Sequence, residues 1–284
     1  MPKTTVYGPV ASWRLGRSLG VDLLNSDTKI CNYDCVYCQL GKTGAYQIGR
    51  QEFVSLEKLK QDLAAVKGVE ADYVTFSGMG EPTLAANLGE AISTAREILG
   101  LPVAVITNAS LIKDEQVRRE LALADTVIAK LDAADDQMLA QMNHPAEGIR
   151  LAPILQGLQM FRLEYSGRLV IDIMLTDINK SQLFNLNYYA KMMMPQQVQL
   201  NTPRRPCACQ ALPDKELAEI RKTWFWNQQD VLAVCEARRP VVTPLDEEET
   251  ELRHPTRERP APGEAREACA PETGNIGAQS EGAK

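Results

Sequence analysis

The chain alternates short, almost continuously apolar runs with longer segments whose apolar residues recur every three or four positions. Runs of the first kind are typical of strands buried on both faces, and spacings of the second kind predict helices with one apolar face. The predicted strands are 19–24, 72–76, 102–107, 126–131, 168–175 and 197–200. The predicted helices are 56–66, 85–99, 112–123, 154–165, 181–194 and 213–226.

This alternation indicates an α/β fold in which helices cover a parallel sheet. Six such units predict a partial (β/α)6 barrel within a core domain, 1–226, that includes an N-terminal extension. We interpret 227–240 as a C-terminal extension and 241–284 as an acidic, proline-rich tail. The tail lacks aromatic residues and is expected to be disordered, apart from a helical stretch near 244–252. Polar residues that follow the strands are expected to meet at one rim, because ligands bind at the carboxyl ends of parallel strands.

Composition narrows the class of protein. The 284 residues are 44% hydrophobic and 24% charged, which is usual for a globular domain. The formal net charge is −6, and the tail, with ten acidic and five basic residues, carries most of it. The nearly neutral body lacks the overall basic excess of an obligate nucleic-acid binder. No apolar run reaches the roughly 18 residues of a membrane span, and no apolar signal region occurs near the start. We therefore expect a cytoplasmic monomer that does not enter a membrane.

Three of the seven cysteines lie within eight residues, and Cys31, Cys35 and Cys38 have the spacing C-x3-C-x2-C. Clustered thiols in a protein without a secretory signal favour metal binding or catalysis over disulfides. A [4Fe–4S] cluster normally takes four thiolates, so a cluster held by this loop would keep one iron open for a ligand. A zinc site completed by a distant cysteine and simple packing of three thiols remain alternatives.

The cysteine loop resembles the cluster-binding motif of the radical S-adenosylmethionine (radical SAM) superfamily. Other stretches are similar to a subgroup of Fe–S oxidoreductase-like proteins related to wyosine-base (demethylwyosine) synthases, and the similarity covers roughly the first 205 to 225 residues. The stretches that carry it are 7–10, 15–22, 38–41, 77–84, 107–108 and 199–203. The resemblance implies the radical SAM type of partial barrel.

The resemblance also implies two cofactors, a [4Fe–4S] cluster and SAM, and a reaction. Such an enzyme takes an electron from a flavodoxin or ferredoxin and cleaves SAM to a deoxyadenosyl radical, which abstracts hydrogen from a substrate. The implied iron ligands are Cys31, Cys35 and Cys38. The implied SAM contacts are Tyr37, Ser77, Gly78, Met79, Gly80, Glu81, Asn108 and Asp132. No residue is assigned a catalytic role.

Several alternatives stay open. The substrate is an RNA base, by kinship with wyosine synthases, or a peptide or small molecule; a non-catalytic iron–sulfur or zinc protein is the third class. Glu81 either pairs with the SAM ammonium or braces its own loop, and Asp132 either contacts the ribose or caps a helix. Arg14 and Arg17 bind a phosphate or carboxylate, or remain solvated, which we favour. A second metal on Cys207, Cys209 and Cys235 is a further hypothesis.

Overall fold

The structure, a computed structural model, describes residues 3–205, 207–224 and 231–255. Its centre is one eight-stranded sheet that curls into a half-barrel, with the strands in sequence order. The strands are β1 (Val6–Ser12), β2 (Gly16–Val21), β3 (Tyr73–Phe76), β4 (Val103–Thr107), β5 (Thr126–Lys130), β6 (Arg168–Met174), β7 (Gln197–Asn201) and β8 (Val231–Ala233). The first two pair antiparallel, and every later pair is parallel.

Helices connect the parallel strands and cover the outer face of the sheet, and one further helix follows β8. They are α1 (Leu56–Ala65), α2 (Leu88–Leu99), α3 (Glu115–Leu121), α4 (Asp136–Asn143), α5 (Leu151–Glu164), α6 (Leu183–Met192), α7 (Asp214–Thr223) and α8 (Glu247–Arg253). Side chains of Ser55, Asp114 and Asp135 accept hydrogen bonds from backbone N–H groups at the starts of α1, α3 and α4. These caps fix where the chain leaves each loop and enters its helix. No helix within the described ranges is long and apolar enough to cross a membrane.

The two faces of the sheet differ in polarity. Val74 and Phe76 of β3 are fully buried in the large core between sheet and helices. Thr75, between them, points to the inner face, because successive strand side chains alternate. Among the described residues, the buried apolar cluster on the inner face is small and consists of Leu15, Ala104, Ile128 and Val170. Polar groups and a cavity occupy the rest of the half-barrel interior, which places the functional surface inside the curl.

The predicted fold class is confirmed, and the six parallel strands coincide with β2 to β7. The first predicted strand, 19–24, differs most from the structure, since β2 begins at Gly16 and ends at Val21. Asp22 has already left the sheet, where its carboxylate accepts a hydrogen bond from the backbone N–H of Leu24. The sequence pattern did not predict β1, β8 or α4.

The end of the described chain differs from the predicted tail. Residues 241–255 return to the sheet, and α8 is the helical stretch expected near 244–252. The carbonyl of Gly8 in β1 accepts a hydrogen bond from the backbone N–H of Leu245 at 2.7 Å, and the N–H of Gly8 donates to the Thr250 hydroxyl at 3.0 Å. This part of the expected disordered tail is therefore docked on the core, and the remainder, 256–284, lies outside the described residues, as does the end of the helix predicted at 213–226.

Candidate functional site

A cavity of about 330 Å³ lies at the carboxyl ends of the strands and continues into the half-barrel. It brings together nine of the eleven residues that the sequence singles out, although the nine come from three separate segments. Those nine are Cys31, Cys35, Tyr37, Cys38, Ser77, Gly78, Gly80, Glu81 and Asn108. Met79 and Asp132 do not line it.

The cysteine loop and the glycine turn after β3 are directly joined. The backbone N–H of Ile30 donates to the carbonyl of Met79 at 2.8 Å, and the N–H of Glu81 donates to the carbonyl of Ile30 at 3.1 Å. A Cβ at Gly80, whose φ is +157°, would lie 1.6 Å from the Ile30 carbonyl oxygen. Only glycine permits this approach, so the residue type at 80 sets the distance between the two loops.

A second glycine of the turn is required for a different contact. Gly78 has a φ of +126°, and a Cβ there would lie 2.5 Å from the carboxyl carbon of Asp22. Next to it, the hydroxyl of Ser77 lies 2.7 Å from that of Tyr7. The turn thus presents backbone rather than bulky side chains to the cavity.

Two thiols of the cysteine loop, Cys31 and Cys35, lie in surroundings that disfavour a bare negative charge. Burial is the main cause that raises the pKa of Cys31 to about 12, and the negative charge of Glu81 is the next largest. Burial is also the main cause that raises the pKa of Cys35 to about 12, and the charge of Cys38 is the next largest. The Cys35 sulfur accepts a hydrogen bond from the Asn143 amide at 3.4 Å. A cationic metal centre supplies the charge that thiolates need in such a place.

The donor set fits an iron–sulfur cluster. All three thiols and the buried Lys29 line the same cavity, and the Lys29 ammonium lies 3.3 Å from the carboxylate of Asp34. Burial lowers the pKa of Lys29, but the charges of Cys38, Cys31 and Cys35 outweigh it and the net shift is upward. Within the described ranges, no three His, Cys, Asp or Glu side chains converge as ligands of one metal ion. In a [4Fe–4S] cluster each thiolate binds its own iron, so the sulfurs need not converge on one point.

Glu81 braces its loop. Its side chain is 2% exposed, and one carboxylate oxygen accepts from the backbone and hydroxyl of Thr83 and from the hydroxyl of Thr107, at 2.7 to 3.0 Å. The other oxygen accepts from the backbone N–H of Asn108 at 2.6 Å. Burial raises the pKa of Glu81, and these hydrogen bonds oppose the rise. Of the two expected roles, the contacts support bracing, because the carboxylate ties the β3 turn to the end of β4.

Asp132 and Met79 differ from their expected roles. Asp132 is buried behind Tyr37, accepts a hydrogen bond from the Tyr37 hydroxyl, and accepts the backbone N–H of Met174 at 2.8 Å. It therefore holds Tyr37 rather than facing the cavity, and the cap of α4 is Asp135. The Met79 side chain is 1% exposed. It packs away from the cavity because the glycines on either side turn the backbone.

The floor of the cavity contains charged residues whose position, in the core or at the rim, the strand pattern could not predict. Arg14 reaches in from the β1–β2 turn and pairs with Asp172 on β6. Lys130 on β5 lies 3.1 Å from another oxygen of Asp172. The Arg14 side chain is only 17% exposed, which corrects the expectation that it remains solvated. Arg17 instead pairs with Glu70 and Asp72 on the outside.

Segments after β7 contribute cavity residues that the sequence analysis did not predict. Arg253 and His254 of the α8 segment line the cavity, as do Arg204 and Arg205 after β7 and Arg239 after β8. The composition of the tail gave no sign of this, since one arginine and one histidine among acidic residues look like a solvated face. Their placement depends on a return of the chain that local patterns do not encode.

The other cysteines form a smaller arrangement. The sulfurs of Cys207 and Cys209 lie 3.7 Å apart, and the backbone N–H of Ala208 donates to the carbonyl of Val36 in the cysteine loop. Hydrogen bonding from Cys209 lowers the pKa of Cys207 to about 7. Cys235 does not complete a group of three metal ligands with them within the described part of the chain.

Comparisons with known proteins agree with this geometry. The family model described as the radical SAM superfamily matches residues 25–177. A UPF0026 protein of Synechocystis sp. is 42% identical over 204 residues, which are 71% of this chain and 76% of that protein. A structure of TYW1 with a lysine–pyruvate adduct bound superposes with a TM-score of 0.57 at 18% identity, over 73% of this chain and 72% of that one. Streptococcus suis SuiB bound to S-adenosylmethionine gives 0.58 at 15% identity, over 78% of this chain and 50% of that one. These two structures share the fold.

Proposed function

The chain belongs to the radical SAM superfamily and to the UPF0026 proteins, and we propose that it is an enzyme that binds a [4Fe–4S] cluster and SAM and cleaves SAM reductively. One observation carries the proposal. The three-cysteine loop and the glycine turn after β3 are hydrogen-bonded to each other and open on one cavity. A cluster and a SAM molecule that act on each other need such neighbouring sites.

In the proposed enzyme, Cys31, Cys35 and Cys38 hold three irons and leave the fourth for SAM. When bound, the cluster supplies the electron that splits SAM into methionine and a deoxyadenosyl radical, which abstracts hydrogen from the substrate. A flavodoxin or ferredoxin is the proposed source of that electron. Asn143 orients the Cys35 sulfur, and the Asn108 amide lies 3.8 Å from the Cys31 sulfur.

The glycine turn is the proposed site for the amino acid part of SAM. Gly78 and Gly80 keep the backbone uncovered, so its N–H and carbonyl groups can approach a ligand. Ser77 adds a hydroxyl whose direction Tyr7 sets. Glu81 fixes the turn against β4 and so acts as a positioning residue. Tyr37, held by Asp132, is the proposed neighbour of the adenine.

The half-barrel floor and the docked chain end limit access of water to the same cavity. At the floor, Arg14 pairs with Asp172, and Lys130 lies between the carboxylates of Asp172 and Asp132, at 3.1 and 3.2 Å. Arg253 closes the side beside the glycine turn. A radical generated there is separated from bulk solvent, which suppresses competing reactions. The substrate is proposed to enter from the open end of the half-barrel.

The test uses full-length protein reconstituted anaerobically with iron and sulfide. With dithionite and SAM it is expected to form deoxyadenosine and methionine, and Cys35→Ala is expected to form none. Cys235→Ala, a cysteine variant outside the cavity, is the matched control and is expected to behave as wild type. Equal turnover in Cys35→Ala and wild type would overturn the proposal. Zinc in place of iron and sulfide would favour the non-catalytic alternative.

A further inference from the structure

In the described part of the chain, one wall of the cavity carries two arginines with no carboxylate at ion-pair distance. Three of the five arginines on the cavity are paired, as Arg14–Asp172, Arg204–Asp214 and Arg253–Asp22. Among the described residues, Arg205 and Arg239 have no ion pair within 4.0 Å. Both line the cavity. The wall formed by Arg205, Arg239 and His254 is called the basic wall below.

The guanidinium of Arg205 is held in place by neutral partners. It donates one hydrogen bond to the Gln39 side chain and another to the His254 ring, whose Nε2 is 2.6 Å away. Burial, with the charges of Arg205 and Arg239, lowers the pKa of His254 to about 3. The imidazole is therefore uncharged at neutral pH and accepts the hydrogen bond. These contacts orient Arg205 without neutralising it.

The charges on this wall repel one another. Burial lowers the pKa of Arg205 to about 10, and the charges of Arg239 and Arg14 add to the shift, while Tyr7 and Glu251 offset it only in part. Burial and the charges of Arg14 and Arg204 also lower the pKa of Arg239. A buried, uncompensated charge is costly, and an anion between two guanidinium groups would relieve the cost with charge-assisted hydrogen bonds.

We propose that Arg205 and Arg239 bind an oxyanion, a carboxylate or phosphate group, of the substrate. Gln39 follows Cys38 directly, so its contact with Arg205 ties the basic wall to the cysteine loop. An anion bound there anchors the rest of its molecule in the same cavity as the proposed cluster. Identification of the ligand as the substrate rests on the proposed function; the anion site itself does not.

The experiment measures anion binding by calorimetry on the anaerobically reconstituted full-length protein, without reductant. The probes are inorganic phosphate and malonate, each titrated with and without SAM. The variants are Arg205→Gln, Arg205→Lys and Arg239→Gln. Arg119→Gln on the outer surface of α3, whose side chain is 74% exposed, is the matched control. Arg239 has no described ion pair to lose, so its variant tests the site even if Arg205→Gln impairs folding.

We expect at least about tenfold weaker anion binding in Arg205→Gln and Arg239→Gln, partial rescue in Arg205→Lys, and no change in Arg119→Gln. Tighter binding of phosphate than of malonate, or the reverse, identifies the group that the wall prefers and supports the proposal. Absence of saturable binding in wild type, or equal binding in all variants, overturns it. So does competition between phosphate and SAM, because the wall would then hold the carboxylate of SAM. Anion binding without deoxyadenosine formation would remove the proposed function and leave the anion site standing.

Discussion

Replacement of Arg253 by alanine tests whether the segment 241–255, which contains α8, is part of the folded core. Arg253 is 1% exposed and joins three segments of the chain. Its guanidinium lies 3.0 Å from the Asp22 carboxylate beside the glycine turn and 2.6 Å from that of Glu249 in α8. It also donates to the Asn25 side chain at 3.0 Å. Alanine leaves the fully buried Asp22 without its counter-charge.

Removal of one partner from a buried ion pair costs about 3–5 kcal/mol, because the remaining charge stays in a poorly solvating site. In a domain of this size such a loss lowers the midpoint of thermal unfolding by roughly 6–20 °C. The outer arginine variant Arg119→Ala removes only an exposed pair and is expected to cost less than about 1 kcal/mol. If α8 undocks before the core unfolds, the loss appears instead as faster proteolysis of the chain's end.

The assay is urea unfolding of both variants across a range of pH, with limited proteolysis beside it. Burial raises the pKa of Asp22 above its ordinary value, and the charge of Arg253 opposes that rise. When a carboxyl has a higher pKa in the folded state than in the unfolded state, the free energy of unfolding of the protein decreases as pH rises and increases as pH falls. Loss of Arg253 raises this pKa further, so the gap between Arg253→Ala and wild type is expected to narrow toward acid pH. Equal stability and equal protease resistance in Arg253→Ala, Arg119→Ala and wild type would refute the reasoning.

Three further predictions concern the two loops of the site. Gly80→Ala is expected to destabilise the fold by about 1–3 kcal/mol and to reduce iron incorporation, since its Cβ would meet the Ile30 carbonyl; Gly49→Ala, with open space around it, should change unfolding by less than about 0.5 kcal/mol. Glu81→Gln places an amide N–H₂ among donors and should cost about 1–3 kcal/mol in urea unfolding and weaken SAM binding; unchanged SAM affinity would contradict the positioning role. Asp132→Asn should lower the free energy of unfolding by about 1–3 kcal/mol, because it weakens the hydrogen bond that holds Tyr37. Tyrosine fluorescence identical to that of wild type would count against this contact.

The parallel part of the sheet could be predicted because its strands are continuous apolar runs between helices of regular spacing. β1 could not, since Gly8 and Pro9 interrupt its run, and β8 is only three residues long. α4 follows its strand after a short loop and is only eight residues long, so its periodic pattern is weak. The docking of α8 depends on contacts between residues far apart in the sequence, such as Arg253 with Asp22 and Thr250 with Gly8, and no local pattern records such contacts.

The residues of the candidate site divide in the same way. The cysteines and glycines of the two loops could be found because their spacing and residue types are specific. Whether an acidic residue faces a cavity or supports a neighbour depends on tertiary contacts. These contacts favour the bracing role over the other alternative for Glu81, and they give Asp132 a role that neither of its two alternatives described. The basic wall combines Arg205, Arg239 and His254 from three segments, and only the closed fold brings them together.

The central claim is that three thiols hold an iron–sulfur cluster with one iron open to SAM. Electron paramagnetic resonance of the anaerobically reconstituted, dithionite-reduced protein tests it most directly. The account predicts the signal of a reduced [4Fe–4S] cluster that changes when SAM is added and is absent from Cys35→Ala. A cluster signal that is the same with and without SAM, or that survives in Cys35→Ala, would contradict it.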